Sequence, residues 1–366
     1  MRKKTKKKRP WKWALFGFLI VLGLAIGFAA YWGVGIYSAL DGFQKDDGES
    51  RFDQFDNPPE QAPPKWEGTE RVNILMLGGD ARGLDENQVP RSDSLLVASF
   101  DPVTKKAHLF SVLRDTYVRI EDHGRNRINT AITLGGPNLA MQTVGDLLGL
   151  DIQYYVYTDF EGFKALIDTI GGIYFDVEKD MRYTDNADQN RYDIDLKKGY
   201  QLLDGDKALQ YVRFRHDAMS DFTRTERQRN FLKAVASELQ STWNIVKMKD
   251  ILESVSPYIE TNLSVSDMLK LGQLGVDSHV GGTAQVPPMD LIGEDKVGGA
   301  SVLVVKDDDA LLEFVQETLQ SDDTVVPSPS PGVDGIDGTD GADGTDGANG
   351  TTGTETDGNS PVSSNN

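Results

Sequence analysis

Residues 72–82 read VNILMLGGDAR, and this stretch decides the fold. Residues 72–77 are a short, continuous apolar run that ends at Gly78-Gly79. An apolar run of this length with glycines behind it predicts a buried β-strand. Asp80 and Arg82 follow directly, at the point where a strand passes polar side chains to a site.

Further strands and helices alternate with this first strand. Strands are predicted over 94–100, 107–113, 154–157 and 173–177, and helices over 138–148 and 160–170. Such alternation is typical of an α/β (α+β) domain with a central mixed β-sheet flanked by helices. We assign this single domain to residues 70–320, a segment of about 250 residues that suits one domain.

The N-terminal segment has the features of a membrane anchor. Eight lysines and arginines occur among the first twelve residues, and residues 14–40 contain no charge. Those 27 residues would extend roughly 40 Å as a helix, whereas a bilayer core needs about 30 Å. A cleaved signal peptide, the alternative, has an apolar region of only about 7 to 15 residues.

We therefore predict a basic cytoplasmic segment over 1–13 and a transmembrane helix over 14–40. The basic flank places the N-terminus in the cytoplasm, which gives a single-pass type II protein of the cell membrane with an extracytoplasmic domain. Residues 41–69 are polar and contain two proline pairs, so they read as a stalk.

Composition excludes some functions. The formal net charge is −19 despite the basic N-terminus, which argues against nucleic-acid binding. The chain has no cysteine, so disulfides and thiol chemistry are ruled out. Residues 321–366 form an acidic tail in which glycine recurs every third residue, often with aspartate before it. Collagen has this period, but proline is missing from the repeat, and a solvated disordered tail is the favoured interpretation.

Arginines and aspartates gather at predicted strand ends and loops. The segment Thr223-x-x-Glu226 matches a capping box, which predicts a helix beginning near Arg224. Arg224 and Gln228 would share one face of it at an N-terminus that favours anions. Arg213 and Arg215, if extended, would lie on one side of a strand. Any single charge could be solvated surface, but arginines with two separated aspartates suit a diphosphate and a metal ion.

Several motifs in order resemble the LytR–CpsA–Psr (LCP) family of cell-wall glycopolymer ligases. The motifs are GDAR at 79–82, RSDS at 91–94, LRDT at 113–116, DFEGF at 159–163, GGI at 171–173, LDGDKAL at 203–209, YVRFR at 211–215 and RxxRQ at 224–228. The resemblance covers residues 72–239 and is expected to reach residue 320.

The resemblance implies a phosphotransferase that moves a glycopolymer, such as teichoic acid or capsule, from a polyprenyl-pyrophosphate carrier to peptidoglycan as a phosphodiester. Asp80 and Asp93 would hold Mg²⁺, or Mn²⁺ in its place. Arg114 and Asp221 would act in catalysis, with a base role for Asp221 left open. The pyrophosphate would be bound by Arg82, Arg91, Arg114, Arg127, Arg213, Arg215, Arg224 and Gln228. Arg127 stands where many members have lysine, which makes its role less secure.

Three other functions compete with the ligase. A pyrophosphatase would use the same residues with water as acceptor, and a non-catalytic protein would only bind the lipid pyrophosphate. A transcriptional regulator would need DNA contact, although only about thirteen residues are predicted to lie in the cytoplasm. The membrane, the lipid-linked glycopolymer and peptidoglycan are the expected partners, and the lipid tail would need an apolar tunnel. Its candidates are the strands at 72–77, 94–100 and 107–113 and the helix at 160–170.

Overall fold

The computed structural model describes residues 27, 29–45, 48–55, 65–80, 88–184, 193–215 and 220–321, with the backbone alone at residues 220 and 221. The strands are β1 (Val72–Gly79), β2 (Ser92–Asp101), β3 (Lys106–Val112), β4 (Tyr117–Ile120), β5 (Gly124–Arg127), β6 (Tyr154–Asp159), β7 (Ile173–Val177), β8 (Met181–Tyr183), β9 (Ile194–Leu196), β10 (Gly199–Leu203), β11 (Ile259–Thr261), β12 (His279–Val286), β13 (Ile292–Val297) and β14 (Ala300–Val305). The helices are α1 (29–41), α2 (Ala131–Leu148), α3 (Phe160–Thr169), α4 (Gly205–Arg213), α5 (Ser220–Leu239), α6 (Thr242–Val246), α7 (Met248–Val255), α8 (Val265–Asp277) and α9 (Asp308–Gln320).

Six strands form the central sheet, in the order β11-β6-β1-β2-β3-β12. Strand β1 pairs antiparallel with β2 and parallel with β6, and β3 pairs antiparallel with β2 and parallel with β12. The sheet is therefore mixed, and helices flank it. This confirms the predicted α/β class and the central mixed sheet.

The two faces of β1 serve different layers, because successive side chains of a strand point to opposite faces. Leu75 and Leu77 are buried in the core cluster that includes Val144 of α2 and Val315 of α9. Ile74 packs on the opposite side in a cluster with Leu274 of α8. The sheet thus has one face filled by α2 and α9, whereas its other face carries α8 and the functional cavity described below.

The predicted elements occur where the sequence placed them, with shifted boundaries. Helix α2 begins at Ala131, earlier than the predicted start at Asn138, but it kinks at Gly135 and Gly136. Gly136 has φ 69°, which glycine adopts without strain, and a Cβ there would meet the ring of Phe55. Pro137 follows the kink at the first position of the second segment, where proline is well tolerated. The predicted 138–148 helix is therefore the part after the kink.

The described parts of the predicted stalk, 41–69, belong to the domain. Phe43, Phe52 and Trp66 are buried, and Phe52 makes edge contacts with Tyr155 and Tyr157 at 6.1 and 5.2 Å between ring centroids. The polar, proline-containing composition that predicted a stalk concealed these three aromatic anchors. Burial of large aromatic side chains attaches the segment to the sheet.

Part of the N-terminal prediction can be compared with the structure. Residues 1–26 and 28, and the tail from residue 322 onward, lie outside the described residues, as does residue 82. Within the described residues, no helix has both the length and the apolar content needed to cross a membrane. The transmembrane helix over 14–40 and the disordered tail stay predictions. Residues 29–40, the C-terminal part of the predicted transmembrane helix, lie in the helix α1.

His108 is a fully buried histidine in the central sheet. It lies on β3 with no solvent exposure, opposite Gly281 and Gly282 of β12. A Cβ on either glycine would approach the imidazole to 3.2 Å, so the two glycines leave the space for the ring. Burial lowers the pKa of His108 from its usual value of 6.5.

Acidification should therefore destabilise the fold through His108. The unfolded chain binds a proton near pH 6.5, whereas the folded chain resists protonation until a lower pH. The free energy of unfolding should fall as the pH drops through that range. We expect His108→Gln to flatten the pH dependence of the melting temperature, while His123→Gln, on an exposed turn, should not. Parallel curves for the wild type and His108→Gln would contradict this assignment.

Candidate active site

A cavity of about 570 Å³ lies between the central sheet and helices α3, α4 and α5. Its apolar wall consists of side chains from β1, β2, β6, β9 and these three helices. They are Met76, Leu77, Leu96, Val156, Phe160, Phe163, Ile194, Leu209, Val212, Phe231 and Leu232. Of the elements predicted to line a lipid tunnel, β1, β2 and α3 contribute to this wall, whereas β3 contributes no apolar side chain to it.

Charged side chains occupy the same cavity. Asp80, Asp93, Arg114, Arg213, Arg215, Arg224 and Gln228 all line it, together with Asp159. Seven of the residues that the sequence predicted as a site thus come together from five segments of the chain. The lining has four arginines and three aspartates, so it is slightly positive in a chain whose formal net charge is −19. The cavity is amphiphilic, with charge and apolar surface in one space.

Asp80 and Asp93 are brought together by the pairing of β1 and β2. The register runs from Gly78 opposite Ser94 to Gly79 opposite Ser92, so Asp93 is an extra residue in a β-bulge. Bulges redirect a side chain and often occur beside active sites. Asp93 consequently lies next to the end of β1, where Asp80 follows.

Gly79 makes this corner possible because the chain is crowded there. A Cβ on Gly79 would lie 2.9 Å from Pro90 Cγ and would overlap the Tyr157 side chain. Tyr157 is buried, and burial raises the pKa of its phenol despite the opposing charge of Arg51, whose guanidinium lies 5.3 Å from the ring centroid. The phenol therefore stays protonated and forms a neutral wall beside the carboxylates.

Arg114 follows β3 on a backbone that is fixed on both sides. Leu113 donates its N–H to Val286 (2.9 Å), and the Arg114 carbonyl accepts from Asn129 (3.2 Å). The Arg114 guanidinium contacts Asp93 Oδ1 at 2.5 Å and Asp115 Oδ2 at 3.5 Å. Arg114 therefore points from the end of β3 toward Asp93 in the β-bulge of β2.

Helix α4 presents two further arginines. The segment predicted as extended is instead helical up to Arg213, because Asp204 caps the helix by accepting from Lys207 N at 2.9 Å. The Arg213 guanidinium lies 5.1 Å from the Phe160 ring centroid. Arg215, just beyond the helix, reaches Asp93 Oδ1 at 3.5 Å. The extended conformation considered for Arg213–Arg215 was wrong. Both arginine side chains nevertheless line the same cavity.

Helix α5 confirms the predicted face and corrects its start. Arg224, Phe231 and Val235 are buried and Gln228 partly so, as the helical spacing predicted. The helix, however, already includes Ser220, so Thr223 is an interior residue rather than a cap. The capping-box pattern is local and occurs within helices too, and residues 216–219, directly before Ser220, lie outside the described residues. Arg224 consequently sits in the second turn, where the helix dipole supports an anion less directly.

Arg227 is a structural residue that the sequence motif contained without revealing its function. Arg227 is 4% exposed, and its guanidinium donates to the Phe214 carbonyl at 2.5 Å and pairs with Glu178 at 2.9 Å. Gln228 donates to the Val212 carbonyl at 3.3 Å. The last carbonyls of a helix lack intrahelical partners, so α5 satisfies the end of α4. This clasp fixes the backbone that carries Arg213 and Arg215.

The remaining predicted residues lie elsewhere or outside the description. Arg91 is exposed and does not line the described cavity. Arg127 pairs with Asp115 at 3.4 Å and donates to the Ser301 carbonyl at 2.8 Å, one ion pair away from Arg114. The Asp221 backbone lies near the start of α5, but its side chain is not described, and Arg82 lies outside the described residues.

The two predicted metal ligands, Asp80 and Asp93, suit Mg²⁺ better than a metal ion whose ligands all come from the protein. Among the described residues, no group of three or more histidines, aspartates or glutamates could hold an ion. Asp80 and Asp93 both line one cavity and lie on neighbouring strand ends. Mg²⁺ commonly takes one or two carboxylates and completes its shell with phosphate oxygens and water. The donor set therefore suits an ion that arrives with a phosphate ligand.

Fold and site together define a mixed α/β protein with an amphiphilic cavity at the strand ends. The model of the LytR_cpsA_psr family matches residues 35–318, and the chain belongs to this family.

Relatives of named function are similar over different lengths. Regulatory protein MsrR of Staphylococcus aureus is 34% identical over 212 residues, which are 57% of this chain and 61% of MsrR. The chain therefore matches less than two thirds of the length of MsrR. TagU of Oceanobacillus iheyensis, named polyisoprenyl-teichoic acid–peptidoglycan teichoic acid transferase, is 31% identical over 84% of this chain and 93% of its own. The crystal structure of Bacillus subtilis TagV is 29% identical, with a TM-score of 0.57 over 69% of this chain and 98% of that one.

The clasp predicts a measurable effect of Arg227 on anion binding. Arg227→Met should lower the free energy of unfolding by about 1 to 3 kcal/mol, because the Phe214 carbonyl loses its buried donor. At a temperature where the variant is folded, its affinity for inorganic pyrophosphate should also fall, since Arg213 and Arg215 lose their support. Calorimetric titration measures this affinity, and Arg125→Met, on exposed β5, is the control. Unchanged pyrophosphate affinity in a destabilised Arg227→Met protein would limit Arg227 to folding.

Proposed function

We propose that the chain transfers a glycopolymer from a polyprenyl-pyrophosphate carrier to peptidoglycan through a phosphodiester, in a Mg²⁺-dependent reaction. The amphiphilic cavity carries this proposal. A polyprenyl pyrophosphate is itself an amphiphile with a diphosphate head and a hydrocarbon tail. The arginines and aspartates match the head, and the wall built around Met76, Phe163 and Phe231 matches the tail.

The reaction forms one bond and breaks one. The acceptor hydroxyl oxygen bonds to the phosphorus that bears the glycan, and the bond from that phosphorus to the bridging oxygen breaks. Polyprenyl phosphate leaves, and the hydroxyl proton passes to a base, whose identity is left open. Phosphoryl transfer depends mainly on positioning and charge stabilisation, which the guanidiniums of Arg114, Arg213, Arg215 and Arg224 would supply.

Asp80 and Asp93 would hold Mg²⁺, which when bound neutralises negative charge on the phosphates. Asp93 has a second task, because its carboxylate also orients Arg114 and Arg215. Exchange of one anionic partner for another keeps each guanidinium paired, so a pyrophosphate could take over these partly exposed arginines.

The family supports this choice among the alternatives. TagU, similar over most of both chains, is named for transfer of teichoic acid from a polyisoprenyl carrier to peptidoglycan. MsrR is named a regulatory protein, but the net charge of −19 disfavours contact with nucleic acid. We further propose that the chain is anchored as a single-pass type II protein, because a lipid-linked donor lies in the membrane. The polymer carried by the donor is left open.

The arginines can be tested one at a time. Arg114→Ala and Arg215→Ala should each lower turnover at least about tenfold, or roughly 1.4 kcal/mol of barrier, because each removes a charge-assisted phosphate contact. Turnover is measured as glycan attached to peptidoglycan fragments, with a polyprenyl-pyrophosphate-linked donor. Arg119→Ala, on exposed β4, serves as the matched control. Wild-type turnover in both variants would refute the clamp.

The metal and the reaction type need a separate experiment. Asp80→Asn keeps the size of the side chain but removes an anionic ligand, so both the rate and its dependence on Mg²⁺ should weaken. A folded Asp80→Asn protein with the wild-type rate and response to Mg²⁺ would remove the metal assignment. Release of phosphate products without a glycan–peptidoglycan adduct by the wild type would favour the pyrophosphatase. Binding of the lipid without either product would favour the non-catalytic alternative.

A further inference from the structure

We propose that a surface beside α1, formed by Trp243 and Val246 of α6 with Lys247 next to it, rests on the outer face of the lipid bilayer. We call this surface the docking face. It rests on the proposed membrane anchor and is independent of the catalytic assignment. The inference starts from how α1 joins the globular domain.

Helix α1 is packed firmly against α6, α7 and α8. Ile36 and Leu40 are buried in a cluster with Val255 and Val265. Gly35 lies so close to Lys249 that a Cβ would overlap the lysine side chain. Such packing fixes α1 relative to the domain rather than leaving it on a loose tether.

The length of the uncharged run locates the membrane boundary on α1. The 27 uncharged residues 14–40 would measure roughly 40 Å as a helix, about 10 Å more than a bilayer core of about 30 Å. A span of about twenty residues would fill the core, so a predicted transmembrane helix that starts at residue 14 would leave it at about residue 33. The surplus, residues 34–40, includes Ile36, Ala39 and Leu40, which the domain buries. The apolar residues of the run that would extend beyond the bilayer core are thus buried by the globular domain.

Helix α6 lies at the level of this boundary. The Trp32 indole N–H donates to the Val246 carbonyl at 3.2 Å, which joins α6 to α1 where the helix would leave the bilayer core. Trp243 and Val246 are 66% and 55% exposed. They therefore reach solvent on an element that the anchor holds at the headgroup level.

The chemistry of the docking face suits lipid headgroups. The Lys247 ammonium lies 5.1 Å from the Trp243 ring centroid, whereas Lys249 pairs with Glu253 at 2.7 Å and is largely buried. Tryptophan and tyrosine concentrate at membrane interfaces, where lysine stems extend their charge to the headgroups. Basic side chains also attract anionic lipids.

The absence of cysteine from the chain allows single-site labelling. Full-length Trp243→Cys would carry a nitroxide label in vesicles of phosphatidylcholine and phosphatidylglycerol. Tyr200→Cys, 73% exposed on β10, is the matched control. We expect label 243 to gain collisions with lipid-soluble oxygen and to lose collisions with a water-soluble nickel chelate, whereas label 200 should stay accessible to nickel.

Each other outcome overturns the docking face in a distinguishable way. Equal nickel accessibility at both sites, in protein that resists alkaline extraction, would leave the anchor standing and reject docking. Dipolar broadening between labels at 243 would show that a second copy covers the face. Extraction of the protein by alkali would reject the anchor together with docking. None of these three results bears on Arg114 and Arg215, whose variants test transfer separately.

Discussion

Asp93 lies between two arginines that the chain brings from distant places. Arg114 comes from the end of β3, and Arg215 comes from the segment after α4. All three side chains are partly exposed, from 22% to 35%, so each ion pair adds little to stability. Their importance is geometric, because one carboxylate joins the sheet to the helical layer. The bulge in β2 that frees Asp93 from the regular register is therefore the constraint on which the site depends.

Contacts between α5 and the end of α4 hold Arg215 in place for its ion pair with Asp93. Arg227 and Gln228 hold the final carbonyls of α4, so two helices that meet at the cavity keep a defined distance. Phe214 lies between Arg213 and Arg215, and the Arg227 guanidinium lies 5.3 Å from its ring centroid. The side chain of α5 that follows this clasp by one turn, Phe231, is fully buried and forms part of the apolar wall. Helix α5 therefore contributes to both the charged and the apolar lining of the cavity.

Periodic patterns of apolar residues predicted the strands and the buried helix face correctly. Short local motifs failed where tertiary contacts determine the secondary structure. The apolar run of β1, the strand β7 and the Arg224–Gln228–Phe231 face were all predicted, because burial follows period two or 3.6. The capping box at Thr223 and the extended Arg213–Arg215 segment were wrong, since both windows are also compatible with helix. Phe52 and Trp66 were missed because isolated aromatics in a polar, proline-containing segment have no period.

The site was predicted in part for the same reason. The motifs supplied the residue types, and the sheet register joined Asp80 to Asp93. The sequence marked Arg127 as less secure than Arg114, but only the structure shows that Arg114 lines the cavity while Arg127 turns to Ser301. Likewise Arg224 and Arg227 share one motif, although one lines the cavity and the other braces it. That choice depends on which carbonyls and carboxylates lie nearby in three dimensions.

The burial of Ile36 and Leu40 makes α1 and the globular domain a single rigid piece. A bilayer of different thickness changes the tilt of a helix that crosses it. Because α1 has no slack where it enters the domain, a change of tilt in the proposed anchor would rotate the domain by the same angle. The orientation of the cavity relative to the membrane plane would then depend on the thickness of the bilayer.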